Sequence, residues 1–89
     1  MAFKSLASDR FWQLYAQLPK EIQKLADKQH ELFEQNPFHP SLQLKQVGEI
    51  WTARVGLYYR VIGYREGNLF RWGWIGPHGT YNKILRRMQ

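Results

Sequence analysis

The sequence predicts an α+β fold: an N-terminal helical hairpin packed on a four-stranded antiparallel sheet, with a short C-terminal helix. Three observations lead to this prediction. Apolar residues recur at helical spacing up to residue 36, they alternate with a period of two from Leu42 onward, and the turns between the alternating runs are long enough only for hairpins. With 89 residues and no cysteine, we expect one domain over residues 1–89, held together by apolar packing.

The first half of the chain predicts two helices. The apolar face of the first consists of Phe11, Leu14, Tyr15 and Leu18. Ser8 is available as its N-cap, and Pro19, which a helix interior does not tolerate, should open a second helix instead of continuing the first. The apolar face of the second helix consists of Ile22, Leu25, Ala26, Gln29 and Phe33. This helix should end at Asn36, because the residue before Pro37 is disfavoured in the helical conformation.

The second half predicts four strands, because four runs are rich in β-branched and aromatic residues. The runs are 42–47, 50–55, 58–65 and 68–75. Turns containing glycine separate them, at Gly48, Gly56 and Gly67. Residues 3–6 are a candidate for a further short strand at the sheet edge. A short basic helix should follow the strands, from residue 80 or 81 to residue 89, with Ile84 and Leu85 facing inward.

Side chains alternate across a strand, so each run divides into two faces. The predicted core face, under the helical hairpin, consists of Leu42, Leu44, Trp51, Ala53, Val55, Tyr59, Val61, Phe70, Trp72 and Trp74. The opposite, solvent-facing set consists of Gln43, Lys45, Thr52, Arg54, Tyr58, Arg60, Tyr64, Arg71 and Gly73. It holds no acid, since Glu49 and Glu66 both fall in predicted turns. Like charges on neighbouring strands repel, so a face with cations alone is predicted to bind phosphate.

The net charge of +6 comes from the second half of the chain. Residues 1–39 hold five basic and five acidic side chains, whereas residues 40–89 hold eight basic and two acidic ones. This asymmetry favours an anionic partner over a charge kept only for solubility, and cations beside tyrosines favour unpaired RNA. The predicted RNA contacts beyond the catalytic set are Tyr58, Arg71, Lys83, Arg86 and Arg87. Without a signal-peptide pattern or a run of about 18 apolar residues, we expect a cytoplasmic protein with no membrane partner.

The segment 75–81, Ile-Gly-Pro-His-Gly-Thr-Tyr, predicts an exposed, tightly turned loop after the last strand. RNA cleavage needs a proton acceptor, a proton donor and cations for the phosphorane, and histidine exchanges protons readily near neutral pH. A lone loop histidine is more often inert than catalytic, but nearby cations and a tyrosine favour His78 over His30 and His39. The predicted catalytic set is Lys45, Arg54, Arg60, His78 and Tyr81.

Four stretches and the order of the elements are informative together. The stretches are Leu-Pro-Lys-Glu-Ile at 18–22, Asn-Pro-Phe-His-Pro-Ser-Leu at 36–42, Ala-Arg-Val-Gly-Leu-Tyr-Tyr-Arg-Val at 53–61 and Trp-Ile-Gly-Pro-His-Gly-Thr-Tyr at 74–81. With them, the chain resembles the RelE/ParE toxins of bacterial type II toxin–antitoxin pairs, over almost its whole length. The pair of Arg-Val-Gly and Tyr-Arg-Val, followed by a histidine and a tyrosine at a strand end, is the most specific element.

The resemblance implies an mRNA interferase, an endoribonuclease that cuts mRNA on the ribosome through attack of a 2′-hydroxyl on the adjacent phosphate. It assigns His78 as acid or base, Tyr81 as its partner, and Lys45, Arg54 and Arg60 to the phosphate and the transition state. The paired lysines and the strand glutamate that serve as base in other members are not evident here. It also implies a cognate antitoxin. Three separated histidines, few acids and no cysteine predict no metal site and no cofactor.

Two other functions stay open at this point. ParE-type members of the same superfamily inhibit DNA gyrase and cut nothing, and a non-catalytic RNA-binding module would use the same basic face. An acid–base group beside that face favours a nuclease, because neither a gyrase inhibitor nor a binding module needs one.

Overall fold

The computed structural model describes residues 3–88, which form three helices, five strands and a 3₁₀ turn. In chain order they are β1 (Lys4–Ala7), α1 (Asp9–Ala16), α2 (Lys20–Gln35), the 3₁₀ turn (Pro40–Leu42), β2 (Lys45–Val47), β3 (Ile50–Val55), β4 (Tyr59–Glu66), β5 (Leu69–Pro77) and α3 (His78–Arg87). The predicted α+β class, with a helical hairpin and a C-terminal helix, is confirmed. Within residues 3–88, no helix combines the length and the apolar character needed to cross a membrane.

The helical hairpin follows from its capping residues. The Ser8 hydroxyl accepts a hydrogen bond from the backbone N–H of Phe11 at 3.2 Å, which satisfies one of the free donors at the start of α1. This helix is shorter than predicted and ends at Ala16. Pro19 is the N-cap of α2, and Asn36 is its C-cap with an extended backbone, as expected for a residue before proline. The predicted bounds of the second helix are therefore confirmed.

The strands form one mixed sheet in the order β1-β5-β4-β3-β2. The prediction of four antiparallel strands is confirmed for β2 to β5 but is wrong in strand count, because β1 adds a parallel edge strand next to β5. A strand of four residues is too short to show a clear period of two. Part of its attachment is a side-chain contact, in which the Trp72 indole N–H donates to the Ser5 hydroxyl at 2.9 Å. A contact between residues this far apart leaves no local pattern in the sequence.

One extra residue in β5, Gly73, reverses the alternation of side chains along that strand. In the register of β4 with β5, Ile62 lies opposite Trp74 and Gly63 lies opposite Trp72, so the pairing skips Gly73. Such a β-bulge moves every following side chain to the other face. The prediction that Trp74 packs under the helical hairpin is therefore wrong. Trp72 faces the hairpin, whereas Trp74 packs on the other face of the sheet.

The sheet consequently has an apolar core on each face. On the hairpin face, Phe70 is fully buried and its ring meets that of Phe33 at 90°, with centroids 5.0 Å apart. On the other face, Ile50 and Ile62 pack with Tyr81 of α3. The prediction of a single core with one solvent-facing side of the sheet is wrong here, because α3 covers part of the second side. The predicted core residues found buried are Leu42, Ala53, Val55, Phe70 and Trp72.

Candidate functional site

A cleft of about 190 Å³ opens between α3 and the neighbouring part of the sheet. Its lining is Gln43, Lys45, Thr52, Ala53, Arg54, Arg60, His78, Tyr81, Asn82 and Leu85. All five residues of the predicted catalytic set line this one cleft, although they come from β2, β3, β4 and α3. Strand parity predicted a shared face for the three cations, and the pairing of the strands brings them to one end of that face.

Arg54 and Arg60 lie directly opposite each other on β3 and β4. Arg54 Nε donates to the Gly56 carbonyl at 3.0 Å, and Arg60 Nη1 donates to the Tyr59 carbonyl at 2.8 Å. The backbone near the β3–β4 turn thus holds both half-buried side chains. Partial burial and the charge of Arg54 lower the pKa of Arg60, an effect that Tyr81 opposes. Since no acid lines the cleft, two adjacent guanidinium groups strongly favour an anion there.

His78 is the first residue of α3, so the prediction that it lies in a loop is wrong. β5 stays paired with β4 as far as Pro77, opposite Tyr59, and Pro77 has the extended backbone of an N-cap, so the helix begins immediately. The backbone N–H of His78 donates to the Tyr58 carbonyl at 2.6 Å. The exposed imidazole lies 24° from parallel with the Tyr81 ring, and the two ring centroids are 6.1 Å apart. The side chain is therefore accessible while its backbone is fixed.

Tyr81 and Lys45 differ in how far solvent reaches them. Tyr81 is only 4% exposed because its ring packs into the core beneath α3. The guanidinium carbon of Arg60 lies 6.0 Å from the centre of that ring. Lys45 is exposed on β2, opposite the buried Thr52. Tyr81 is consequently a fixed wall of the cleft, whereas Lys45 brings a solvated charge to it.

Arg71, a predicted RNA contact, does not line the cleft. It lies opposite Tyr64, which is four residues and roughly 13 Å along β4 from Arg60. Arg71 Nε also forms an ion pair with a Glu66 carboxylate oxygen at 3.3 Å. The prediction that this face holds no acid is wrong, because β4 continues through Glu66 instead of turning before it. The charge of Arg71 is therefore balanced locally.

The remaining predicted RNA contacts are exposed. Three of them lie on α3: Lys83, Arg86 and Arg87. Tyr58 is 73% exposed in the β3–β4 turn, and not in a strand as predicted, because β4 begins at Tyr59. Its carbonyl accepts the hydrogen bond from His78, which keeps Tyr58 next to the first turn of α3. Helix α3 begins two or three residues earlier than predicted and ends at Arg87, with Met88 as its C-cap. The last residue of the predicted helix, 89, lies outside the described residues.

Three polar residues of the cleft were not predicted as site residues. Gln43 has φ 45° and ψ 45°, in the left-handed region that residues other than glycine rarely adopt. Residues held in such rare backbone conformations are concentrated at functional sites. The 3₁₀ turn before it explains why β2 begins at Lys45 and not at residue 42. Parity placed Gln43 and Thr52 on the basic face without singling them out. Asn82 falls on the same helical face as His78 only once the start of α3 is known.

The chemistry available in the cleft is proton exchange and stabilisation of negative charge. An imidazole and a phenol can exchange protons, and three cations can hold a phosphate. Within residues 3–88, no three side chains of histidine, aspartate or glutamate lie together in a way that could hold a metal ion.

Solved structures with this fold include toxins and toxin–antitoxin complexes. The RelE–RelB complex from Pyrococcus horikoshii OT3 is 18% identical, with a TM-score of 0.69 over 89% of this chain and 98% of that chain. YafQ from E. coli is 15% identical (TM-score 0.68, 89% and 97% covered), and the isolated E. coli RelE toxin is 12% identical (TM-score 0.63, 99% and 100% covered). No protein-family model and no curated protein sequence matches this chain. The chain therefore has the fold of the RelE-type toxins.

Proposed function

We propose that this protein is the toxin of a toxin–antitoxin pair and acts in the cytoplasm as a metal-independent endoribonuclease on ribosome-bound mRNA. The composition of the cleft is the observation that supports this proposal. Three cations, an imidazole and a phenol from four elements line one depression on a RelE fold. Cations suit the phosphodiester, and the imidazole and phenol suit proton transfer.

The proposed reaction is an internal transfer within the RNA. The 2′-oxygen attacks the adjacent phosphorus, so that the O2′–P bond forms and the P–O5′ bond breaks. A base takes the proton of the 2′-hydroxyl, and an acid delivers a proton to the leaving 5′-oxygen. The products are a 2′,3′-cyclic phosphate and a 5′-hydroxyl, and no water is consumed. His78 serves as acid or base, with Tyr81 as its partner, because their rings are neighbours at the cleft.

The cations are proposed to bind the phosphate and stabilise the phosphorane. Arg54 and Arg60 are held by backbone carbonyls, so little reorganisation is needed when negative charge develops beside them. Lys45 adds a third charge from β2. In other enzymes, the loss of one donor aimed at a developing oxyanion lowers the rate by about 10²–10³-fold.

A cognate antitoxin is the proposed protein partner. The neighbouring structures include toxins bound to RelB and to DinJ. With a net charge of +6 and a cleft lined by cations, this chain suits a partner segment that is acidic and covers the cleft. Association should be fast at low ionic strength and slow as salt is added, since charge steering is screened over about 8–10 Å at ordinary salt.

The direct test is end-group analysis of mRNA incubated with the purified protein and ribosomes. We expect new 5′-hydroxyl ends, which accept phosphate from a polynucleotide kinase without prior phosphatase treatment, and 2′,3′-cyclic phosphates on the upstream fragments. The His78→Asn variant should yield neither. Intact mRNA together with inhibited supercoiling by DNA gyrase would instead assign a ParE-type function. Binding of RNA with neither effect would assign a non-catalytic RNA-binding module.

A further inference from the structure

A second, apolar cavity lies between the helical hairpin and the sheet, on the face opposite the cleft. Its volume is about 150 Å³. Aromatic rings from α1, α2 and β5 surround it, among them Phe11, Phe33 and Trp72. The cavity exists because three of its lining positions, one each on β1, α2 and β3, carry only a methyl group: Ala7, Ala26 and Ala53.

The polar side chains of this cavity are already engaged with the protein. The Tyr15 hydroxyl donates to Asp27 at 2.7 Å, which joins α1 to α2. The Gln29 amide donates to the Arg54 carbonyl at 3.3 Å, and the Ser5 hydroxyl accepts from the Trp72 indole at 2.9 Å. A buried water needs two to four polar partners. Two further polar lining residues, Arg54 and His30, contact the Gly56 carbonyl and the Glu34 carboxylate, and His30 lies exposed at the opening. Since these groups have partners within the protein, the cavity interior favours an uncharged, apolar occupant over water or an ion.

The size of the cavity fits one aromatic ring. An engineered apolar cavity of about this volume in another protein stays dry and binds benzene. Here Phe11, Phe33 and Trp72 line the cavity, and aromatic rings pack favourably against one another in edge-to-face or offset-stacked arrangements. Access is available between α1 and α2, where the lining residues Trp12, Asp27 and His30 are exposed. We propose that this hairpin cavity is a binding site for a small, neutral molecule with a single aromatic ring.

Nuclear magnetic resonance with benzene as the probe tests this inference. In ¹H–¹⁵N spectra of the full chain, benzene should produce saturable shifts at amides that line the cavity and not the cleft, such as those of Ala26, Phe33 and Val55. At a free concentration ten times its Kd, benzene should also raise the folding equilibrium constant about 11-fold. Benzoate, which has the same ring with a charge, should leave these amides unshifted, and any binding of this anion in the cationic cleft should shift amides there instead.

Two variants in which an alanine is replaced by leucine provide the control. Ala26→Leu should fill the cavity and abolish the benzene shifts, whereas Ala16→Leu, at the exposed end of α1, should leave them unchanged. If Ala26→Leu does not fold, Ala7→Leu serves the same purpose from the β1 side.

Three outcomes would overturn the proposal. The first is the absence of saturable benzene shifts in the folded wild-type protein. The second is an equal shift of the cavity amides by benzoate, or undiminished binding of benzene by the filled variants. The third is a set of shifts at the same amides that depends on protein concentration without benzene, which would assign the cavity to a second copy of the chain.

Discussion

The backbone N–H of His78 donates a hydrogen bond of 2.6 Å to the carbonyl oxygen of Tyr58. This bond joins the first residue of α3 to the β3–β4 turn. The side chain of Arg54 donates to a carbonyl of the same turn, that of Gly56, and Arg60 donates to the next carbonyl after Tyr58, that of Tyr59. One short stretch of backbone therefore holds the backbone of His78 and both guanidinium groups of the cleft.

The proposed division of labour in the cleft predicts that binding and cleavage separate at His78. The His78→Asn variant should lose cleavage by about 10²–10⁴-fold, because proton transfer by a positioned side chain typically contributes that much. Affinity for ribosome-bound mRNA should change less than about threefold, since the cations are retained. Single-turnover cleavage and a separate binding assay measure the two effects. His39→Asn is the matched control, because asparagine can keep the N-cap contact that His39 makes with the Ser41 N–H. Cleavage by His78→Asn at the wild-type rate would remove histidine from the mechanism.

The two arginines of the cleft should affect both RNA binding and stability. Replacement of Arg54 and Arg60 by alanine should lower the slope of log affinity against log salt by about 1.4, at roughly 0.7 per lost phosphate contact on single strands. It should also lower the free energy of unfolding by about 1–3 kcal/mol, because both side chains donate to backbone carbonyls. Glutamine at both positions keeps a donor without the charge, so it should restore part of the stability and none of the binding. Unchanged RNA affinity in the alanine variant would place the RNA elsewhere.

Arg71 should matter much less to RNA binding than Arg60. Its charge is balanced by Glu66, and it lies outside the cleft. We expect Arg71→Ala to reduce affinity less than threefold and to leave the salt dependence unchanged, whereas Arg60→Ala reduces both. Titration of a fluorescent RNA at several salt concentrations measures the difference. Equal losses in the two variants would mean that the RNA-binding surface extends along the whole of β4 and β5.

The β-bulge predicts that substitution of two glycines on neighbouring strands lowers stability to different extents. A Cβ atom at Gly63 would fall against the Arg71 carbonyl oxygen and within 2.7 Å of the Trp72 ring, whereas one at Gly73 would meet nothing within 4 Å. Gly63→Ala should therefore lower the free energy of unfolding by about 1–3 kcal/mol. Gly73→Ala should change it by less than about 0.5 kcal/mol. Urea denaturation measures both values, and similar losses in the two variants would contradict the described register.

The bond between Tyr15 and Asp27 predicts a contribution to stability that is lost at alkaline pH. The hydrogen bond to Asp27 and burial raise the pKa of Tyr15 above its ordinary value of 10.0. The folded state thus favours the neutral phenol, so the contribution is complete below pH 10 and disappears as pH rises through the higher folded-state pKa. At pH 7, Tyr15→Phe should cost about 0.5–1 kcal/mol, and the difference from wild type should shrink above pH 10. Tyr64→Phe, at an exposed position, is the control. A difference independent of pH would count against the bond.

The helices and four of the strands could be predicted because their signals are local. Caps, prolines and periodicity lie within a few residues of the elements they specify, as Ser8, Pro19 and Asn36 illustrate. The edge strand β1 was predicted only as a candidate, over residues 3–6, because its pairing partner lies more than 60 residues away in the chain. The β-bulge could not be predicted, because nothing in the sequence around Gly73 distinguishes an unpaired glycine from a paired one. This single residue determines on which face of the sheet Trp74 lies.

The cations of the candidate site were easier to predict than helix α3, which covers that part of the sheet. Parity alone placed Lys45, Arg54 and Arg60 on one face, and that inference needs no knowledge of register. The start of α3 was predicted two or three residues too late, because Pro77 between Gly76 and Gly79 indicated a turn, whereas continued pairing of β5 up to Pro77 started the helix at His78. The catalytic roles of these residues stay predictions that the cleavage experiments address.

Because side-chain alternation reverses at Gly73, the tryptophans lie on both faces of the sheet, and their fluorescence can report on each face separately. Trp12, Trp51 and Trp72 belong to the hairpin side of the sheet, and Trp74 is the one tryptophan of the four that packs with α3. A variant with phenylalanine at the other three positions would emit fluorescence from the α3 side alone. Its emission would show whether α3 detaches before the hairpin or together with it. Coincident unfolding curves from this variant and from circular dichroism would mean that the cleft and the hairpin core melt as one cooperative unit.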